Sequence, residues 1–338
     1  MDSPSFTHTF QYRPGDRATA VRLRTFMPGF PPSLDFTHRG DAWSLELELP
    51  ADARLEYRIE FDDERGTHSI LDPDNPRSAS NPFGENSVHV GPAYPYPDWT
   101  ACGDPRGDLR EIRVHSRHLG GRRHHVMYSP PGLGPEDPAP LLVVHDGSDY
   151  VRYAGLPACL EAMIAAGRIP RLRVLGLNPR VRHQRYIASD QHADHVVEEV
   201  IPHVRERVSV SNRVAVMGAS LGAVAAWHAS WRHPGFFSAM VLQSGTFALE
   251  PHPELDDQMY RSISRFMRAA LEDPRTDAMA VMQSCGRWES LIGWNRTVAG
   301  ALSSRSAAHS FVETWTGHDW GAWSGTMDIG LEMAFGDG

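Results

Sequence analysis

The sequence predicts an α/β protein, a mostly parallel sheet covered by helices on both faces and preceded by a small all-β domain. Up to about residue 100, short alternating apolar and polar segments recur between turn clusters, with no helical period. From about residue 108, strand-like apolar runs alternate with helical patterns, the rhythm of a sheet whose parallel strands are joined by helices. Between 213 and 223 the chain reads RVAVMGASLGA, an apolar strand, a two-glycine turn and a helix start.

In the first part, Thr19–Thr25, Trp43–Leu49 and Arg54–Phe61 alternate as half-buried strands do. The segments PGFPP, HRGD, DDERG and LDPDNP separate them with turn chemistry, the pattern of a sandwich. Gly91–Gly107, rich in proline and aromatics, reads as an extended linker. The chain thus divides at 1–105, a sandwich with its linker, and 106–338, the α/β domain. Leu109–Leu119 and Arg122–Tyr128 form a hairpin through Gly120-Gly121. Strand Leu141–His145, helix Pro157–Gly167, strand Leu172–Leu177 and a long helix from Asp190 to Val208 follow. After the strand and helix of the central motif come strand Phe237–Gln243, a helical excursion Glu254–Leu271, strand Ala278–Ser284, helix Ser290–Leu302, strand Ser310–Trp315 and helix Trp320–Phe335.

The central motif is a nucleophile elbow. Gly218 and Gly222 flank Ser220 in a G-x-S-x-G pattern, which lets strand and helix pass closely and holds the serine oxygen out on a strained turn. The helix from Leu221 to His233 points its amino end at the site, where the Leu221 N–H can donate to a developing oxyanion. This is the α/β-hydrolase arrangement, in which acid and histidine follow the serine on later loops. The loop after the last strand reads TGHDW, so His318 is the expected base. The preceding loop reads CGRWE, and Glu289 is its one carboxylate, the expected acid. Asp319 is a poorer acid, since a sequence neighbour rarely reaches round to the ring of His318. HDGSDY after the third strand is the expected second oxyanion element, with Gly147 allowing close approach and the Ser148 N–H donating.

Composition bounds the partners. With 338 residues, 41% apolar and 22% charged, the chain suits a globular protein with ample core. Its net charge of -9 repels nucleic acid and anionic membranes. No apolar run approaches a membrane span and MDSPSFTHTF lacks a secretory signal pattern, so a cytoplasmic home is expected. The three cysteines have no metal-ligand spacing. All 33 basic residues are arginine, which excludes Schiff-base lysine chemistry. His192 and His195 stand at a helical metal-binding interval without a third ligand nearby in sequence, and no metal or other cofactor is expected.

Six segments in order, VVHDGSDY, NPRVRHQRY, MGASLGA, LQSGTF, CGRWESLIGWNR and GHDWGAW, resemble the enterochelin (ferric enterobactin) esterase and esterase D branch of the α/β-hydrolases. WSLELELP, LEYRIEFD and LDPDNP resemble the early-set immunoglobulin-like domain that precedes such esterases and, in a glycogen-binding form, occurs in starch-branching enzymes. The resemblance implies Ser220 as nucleophile, His318 as base, Glu289 as acid, an oxyanion loop at Asp146-Gly147 with Ser148, and an arginine, Arg182 or Arg185, on an anionic or catecholate substrate. It implies a small-molecule ester as partner, a ferric siderophore among the candidates. Trp288 and Trp320, beside the expected acid and base, are expected to wall the cleft. A carbohydrate or feruloyl esterase or an acyltransferase on the same scaffold is the alternative, and a carbohydrate-binding scaffold is the non-enzymatic one. Only Trp43 and Trp99 of the nine tryptophans precede Ser220, so the amino-terminal domain is expected to shape the site rather than bind glycogen.

Overall fold

The computed structural model describes every residue except 1–3, 14–17, 26, 28, 31–33, 251–256, 274, 276–278, 307 and 337–338. The PGFPP turn, the start of the helical excursion at Glu254 and the strand start at Ala278 lie, wholly or in part, outside the described residues. The chain forms two compact units. One comprises Met1–Tyr96, Gly286–Ser290 and Glu313–Ala322, and the other Pro97–Cys285, Leu291–Val312 and Trp323–Gly338.

Among the described residues, the first unit carries eight strands in two sheets. β1 (Ser5–Tyr12), β3 (Thr37–Arg39) and β4 (Ala42–Pro50) form one, in the order β1-β4-β3. β2 (Ala20–Thr25), β5 (Arg54–Asp63), β7 (Ser78–Asn81) and β8 (Gly84–Val90) form the other in the order β2-β5-β8-β7, with β6 (Gly66–Ile70) also on β5. Alternation sends Phe10, Tyr12 and Leu49 from the first sheet, and Val21, Leu23, Leu55, Tyr57 and Ile59 from the second, into one core. Burying each such side chain contributes roughly 1.5–3 kcal/mol. The LDPDNP turn is tied to that core: the buried Asp72 carboxylate accepts from Tyr57 Oη at 2.5 Å, and Asn75 Nδ2 donates to the Val88 carbonyl at 2.9 Å. Trp288 belongs to the same core, edge-on to Phe30 at 4.9 Å, and its carbonyl accepts from the Gly29 N–H at 3.0 Å.

The main sheet has eight strands. β9 (Asp108–His115) and β10 (Arg122–Ser129) are antiparallel, and β10 is antiparallel to β12 (Arg173–Leu177). β11 (Ala139–His145) lies parallel to β12 and to β13 (Val210–Ala219). β14 (Ala239–Gln243) runs parallel to β13 and β15 (Ala280–Gly286) parallel to β14, and β16 (Ala308–Thr314) ends the order β16-β15-β14-β13-β11-β12-β10-β9. From Val214 to Ala219, β13 is buried throughout, as a central strand covered on both faces must be.

The helices follow the expected order with three local differences. A short helix α1 (Gly147–Tyr153) precedes α2 (Leu156–Ala165), so HDGSDY is a strand-to-helix turn rather than an open loop. After α3 (Arg182–Arg185), the long helix is α4 (Asp190–Asp194), a π-helical segment His195–Val200 and α5 (Ile201–Arg205). α6 (Leu221–Arg232), α7 (Asp257–Glu272) and α8 (Ile292–Ser303) follow, and the last helix is broken into α9 (Trp320–Ser324) and α10 (Met327–Phe335).

Candidate active site

Ser220 stands between β13 and α6 with φ 57° and ψ -123°, a left-handed backbone that a residue with a side chain rarely adopts. The flanking glycines make the turn sterically feasible: a Cβ at position 218 would lie 2.3 Å from the Gly222 carbonyl oxygen. The Ser220 N–H donates to the Gln243 carbonyl at 2.9 Å, and Ser220 Oγ lies 3.3 Å from Thr246 Oγ1. Gln243 is fully buried at the end of β14 and joins several elements. Its Oε1 accepts from Tyr150 Oη at 2.6 Å, and its Nε2 donates to the Trp323 carbonyl at 2.7 Å and to Thr326 Oγ1 at 2.8 Å. The serine's strained backbone is therefore held through a satisfied buried network. Gln243 carried no assigned role in the sequence, where LQSGTF stood only as part of a resemblance.

The turn after β11 is equally constrained. Asp146 is left-handed at φ 57°, and a Cβ at position 147 would lie 2.1 Å from the Gly176 Cα, so only glycine lets α1 start against β12. The Asp146 N–H donates to Tyr186 Oη at 3.0 Å, and Arg182 Nε donates to Asp146 Oδ2 at 2.8 Å. Burial raises the Asp146 carboxyl above its ordinary range, and Arg182 opposes that. Arg182 Nη2 also donates to the Ala219 carbonyl at 3.4 Å. Arg182, expected to contact substrate, thus braces the turn after β11 against the end of β13. The Ser148 N–H, expected to face an oxyanion, donates instead to Asn178 Oδ1 at 3.1 Å, while Asn178 Nδ2 donates to Ser148 Oγ at 2.7 Å. Gly147 and Leu221 each open a helix, α1 and α6, where N–H groups lack intrahelical partners.

In the first unit, His318 Nδ1–H donates to Glu289 Oε2 at 2.6 Å, which puts the basic lone pair on Nε2. Glu289 Oε1 accepts the Gly286 N–H at 2.8 Å, and the carboxylate is buried while the imidazole is about one-third exposed. The pairing of these two residues is the one expected from chain order. Next to His318, Asp319 Oδ1 accepts from Arg54 Nη1 at 2.7 Å, and Arg54 Nη2 donates to Glu56 Oε1 at 2.8 Å. Burial, then the neighbouring Glu56 charge, pushes the Asp319 carboxyl up to about 7 against the pull of Arg54. Asp319 is engaged by an arginine of β5, which explains why it is not the partner of the imidazole. No spacing in the sequence connects positions 54 and 319.

Trp288, expected to wall the cleft, is 6% exposed within the core of the first unit, where it anchors the loop that carries Glu289. Trp320 is half-buried at the start of α9. Arg185 is half-buried and donates to Gln191 Oε1 at 3.1 Å. His192 and His195 do not converge on a common ligand position. His195 bonds His125 and Glu199, whereas His192 lies against the rings of His145 and Tyr186. Asp194, Glu198 and His233 bring ligand atoms within 4.8 Å of one another, but Asp194 is already held by Arg232 through two bonds of 2.5 and 2.8 Å. Among the described residues, no helix is long and apolar enough to cross a membrane.

The family whose model matches residues 116–332 is described as "Putative esterase". Among curated protein sequences none matches the chain. Among solved structures, the ferric enterobactin esterase from Salmonella typhimurium is similar with a TM-score of 0.81 at 19% identity, over 98% of this chain and 93% of that one. The enterobactin esterase from Shigella flexneri, solved in the presence of enterobactin, has a TM-score of 0.80 at 18% identity over the same shares. A ferulic acid esterase is similar over 69% of this chain and 99% of its own, with a TM-score of 0.58 at 16% identity.

Proposed function

The chain belongs to the esterase family, carboxylic ester hydrolases on the α/β-hydrolase fold, and from that premise we propose that it is a serine esterase working through Ser220, His318 and Glu289 and an acyl-enzyme. Ser220 Oγ attacks the ester carbonyl carbon while its proton passes to His318 Nε2. Glu289 holds the imidazole in the required tautomer and stabilises the imidazolium. The N–H groups of Leu221 and Gly147 receive the oxyanion. Collapse of the tetrahedral species breaks the carbon–oxygen ester bond, and His318 returns the proton to the leaving alcohol. Water then attacks the acyl-enzyme by the same proton route and frees the acid and Ser220. The observation that carries this reading is the strained backbone of Ser220 at the head of α6, which has no other evident use.

We further propose that the substrate is an aromatic ester of the catecholate siderophore kind, with or without its ferric ion, hydrolysed in the cytoplasm. The enterobactin named for a structurally similar esterase supports this reading. A fluorophosphonate probe should label Ser220 in the wild type and fail on Ser220→Ala. Mass spectrometry should then show enterobactin cleaved to its linear and monomeric acids. Labelling without cleavage of any catecholate ester, alongside release of ferulate from methyl ferulate, would support the feruloyl esterase reading instead.

A further inference from the structure

Three neighbouring parallel strands end on strained backbone. Among the described residues, four other than glycine have positive φ, and three of them, Asp146 at 57°, Ser220 at 57° and Ser244 at 46°, directly follow β11, β13 and β14, which lie side by side in the main sheet. A residue with a side chain is held in that region only where its surroundings over-determine it, and such positions gather where geometry serves chemistry. The turns at Asp146 and Ser220 carry the proposed oxyanion donor and nucleophile. The turn at Ser244 has no assigned use.

The segment it opens is irregular yet buried: Ser244, Gly245, Thr246, Phe247 and Ala248 form no helix or strand, and all are buried. Buried irregular backbone must find its hydrogen-bond partners on other elements. The Ser244 N–H donates to the Ser284 carbonyl at 2.7 Å, and Ser244 Oγ accepts from Trp323 Nε1 at 2.9 Å. The Gly245 carbonyl accepts from Asn295 Nδ2 of α8 at 2.8 Å. A Cβ at position 245 would lie 2.1 Å from the Phe247 ring, so glycine lets that ring fold back, where it meets the Trp227 ring of α6 edge-on at 5.4 Å. Thr246 stands between these two anchors, and its N–H and hydroxyl both reach Ser220. The N–H donates to the Ser220 carbonyl at 3.3 Å, and Oγ1 lies 3.3 Å from Ser220 Oγ.

We propose that Thr246 is a further catalytic residue, whose hydroxyl donates a hydrogen bond to Ser220 Oγ throughout the cycle. This rests on the serine esterase reading, in which the Ser220 proton goes to His318 Nε2. The proton between the two hydroxyls is then that of Thr246. Its bond fixes the direction of Ser220 Oγ and leaves a lone pair for the ester carbonyl carbon. When the acyl-enzyme is hydrolysed, the bond from the acyl carbon to Ser220 Oγ breaks and its electron pair passes to the oxygen. His318 supplies the proton that Ser220 regains, and Thr246 keeps its own. An oxygen gaining negative charge accepts more strongly than a resting hydroxyl, so the contact favours the transition state over the ground state. Threonine suits the task, since two heavy atoms on its Cβ restrict χ1 and the hydroxyl position follows from the braced backbone.

The rate at which a fluorophosphonate labels Ser220 in the full-length protein tests this. Thr246→Val, which replaces the hydroxyl by a methyl, should slow labelling roughly tenfold, and should slow both acylation and deacylation with p-nitrophenyl acetate to a similar degree at an unchanged substrate dissociation constant. Thr246→Ser, which keeps the hydroxyl, should bring labelling back to within about threefold of the wild type. In a Ser220→Ala background, Thr246→Val should cost the residual hydrolysis nothing further, since the oxygen it serves is gone. Labelling of a folded Thr246→Val protein within about twofold of the wild type, or a Thr246→Ser protein as slow as Thr246→Val, would overturn the role of the hydroxyl. Should Thr246→Val not fold, Thr246→Ala against Thr246→Ser reads the same hydroxyl, and equal rates for that pair would overturn it. Those results leave the wild type labelled and the esterase reading intact, whereas a wild type that is not labelled would overturn that reading and this role with it.

Discussion

At the scale of single residues, the proposed mechanism makes Ser220 and His318 one proton-transfer unit. Replacing either by alanine should lower kcat for a p-nitrophenyl ester by a factor on the order of a million, with the fold retained in circular dichroism. Retention of more than about a hundredth of the rate would remove Ser220 as nucleophile. Glu289→Gln should hurt less, by roughly a thousand- to ten-thousandfold. The amide would present a donor or a weaker acceptor to His318 Nδ1, where the carboxylate now accepts at 2.6 Å. The rate against pH distinguishes the cases: an unchanged rate and profile would identify a serine–histidine pair working without the acid.

At the scale of elements, the segment that carries His318 is pinned by a buried ionic cluster. Arg54 of β5 bridges Glu56 and Asp319, one residue from His318. Arg54→Met leaves two carboxylates buried without a cation and should cost on the order of 3–5 kcal/mol in urea denaturation. The same cluster makes stability depend on pH. Burial, then Glu56, raises the folded pKa of Asp319 from its ordinary 3.8 to about 7. Between those values the native state holds a proton that the unfolded chain has released. That contribution is therefore complete below pH about 4 and is lost as pH rises to about 7. Asp319→Asn should flatten this slope in melting temperature, and an unchanged slope would mean that Asp319 stays ionised throughout.

At the scale of the whole molecule, one unit unites the amino-terminal sheets with the segments bearing Glu289 and His318. Trp288 and Trp315 pack with Met27 and Phe30 in its core. A chain beginning at Pro97 would expose those rings and lose the partner of Asp319. It is expected to lose more than about a hundredfold in ester turnover and to associate through the exposed apolar surface. The intact protein should not cosediment with glycogen if, as we propose, the amino-terminal sheets support the loops that carry Glu289 and His318. Glycogen binding with full activity of the shortened chain would reverse that assignment.

The sequence by itself determined what rests on local chemistry: the alternating strands, the order of strands and helices, and the serine turn whose glycines are needed wherever the chain folds. It also put forward Glu289 and His318 as candidate acid and base, because the α/β-hydrolase chain order sets these on loops after later strands, and the structure pairs the two side chains. Tertiary structure alone decided which candidate side chains were taken by neighbours. Arg182 is bound to Asp146, the Ser148 N–H to Asn178, and Trp288 lies in a core. It alone brought Arg54 to Asp319 and Thr246 to Ser220. A charge or an indole has no preferred partner at a fixed separation in sequence. Its role is set by whichever groups the packed chain brings within a few ångströms, where burial makes an unmet polar group costly.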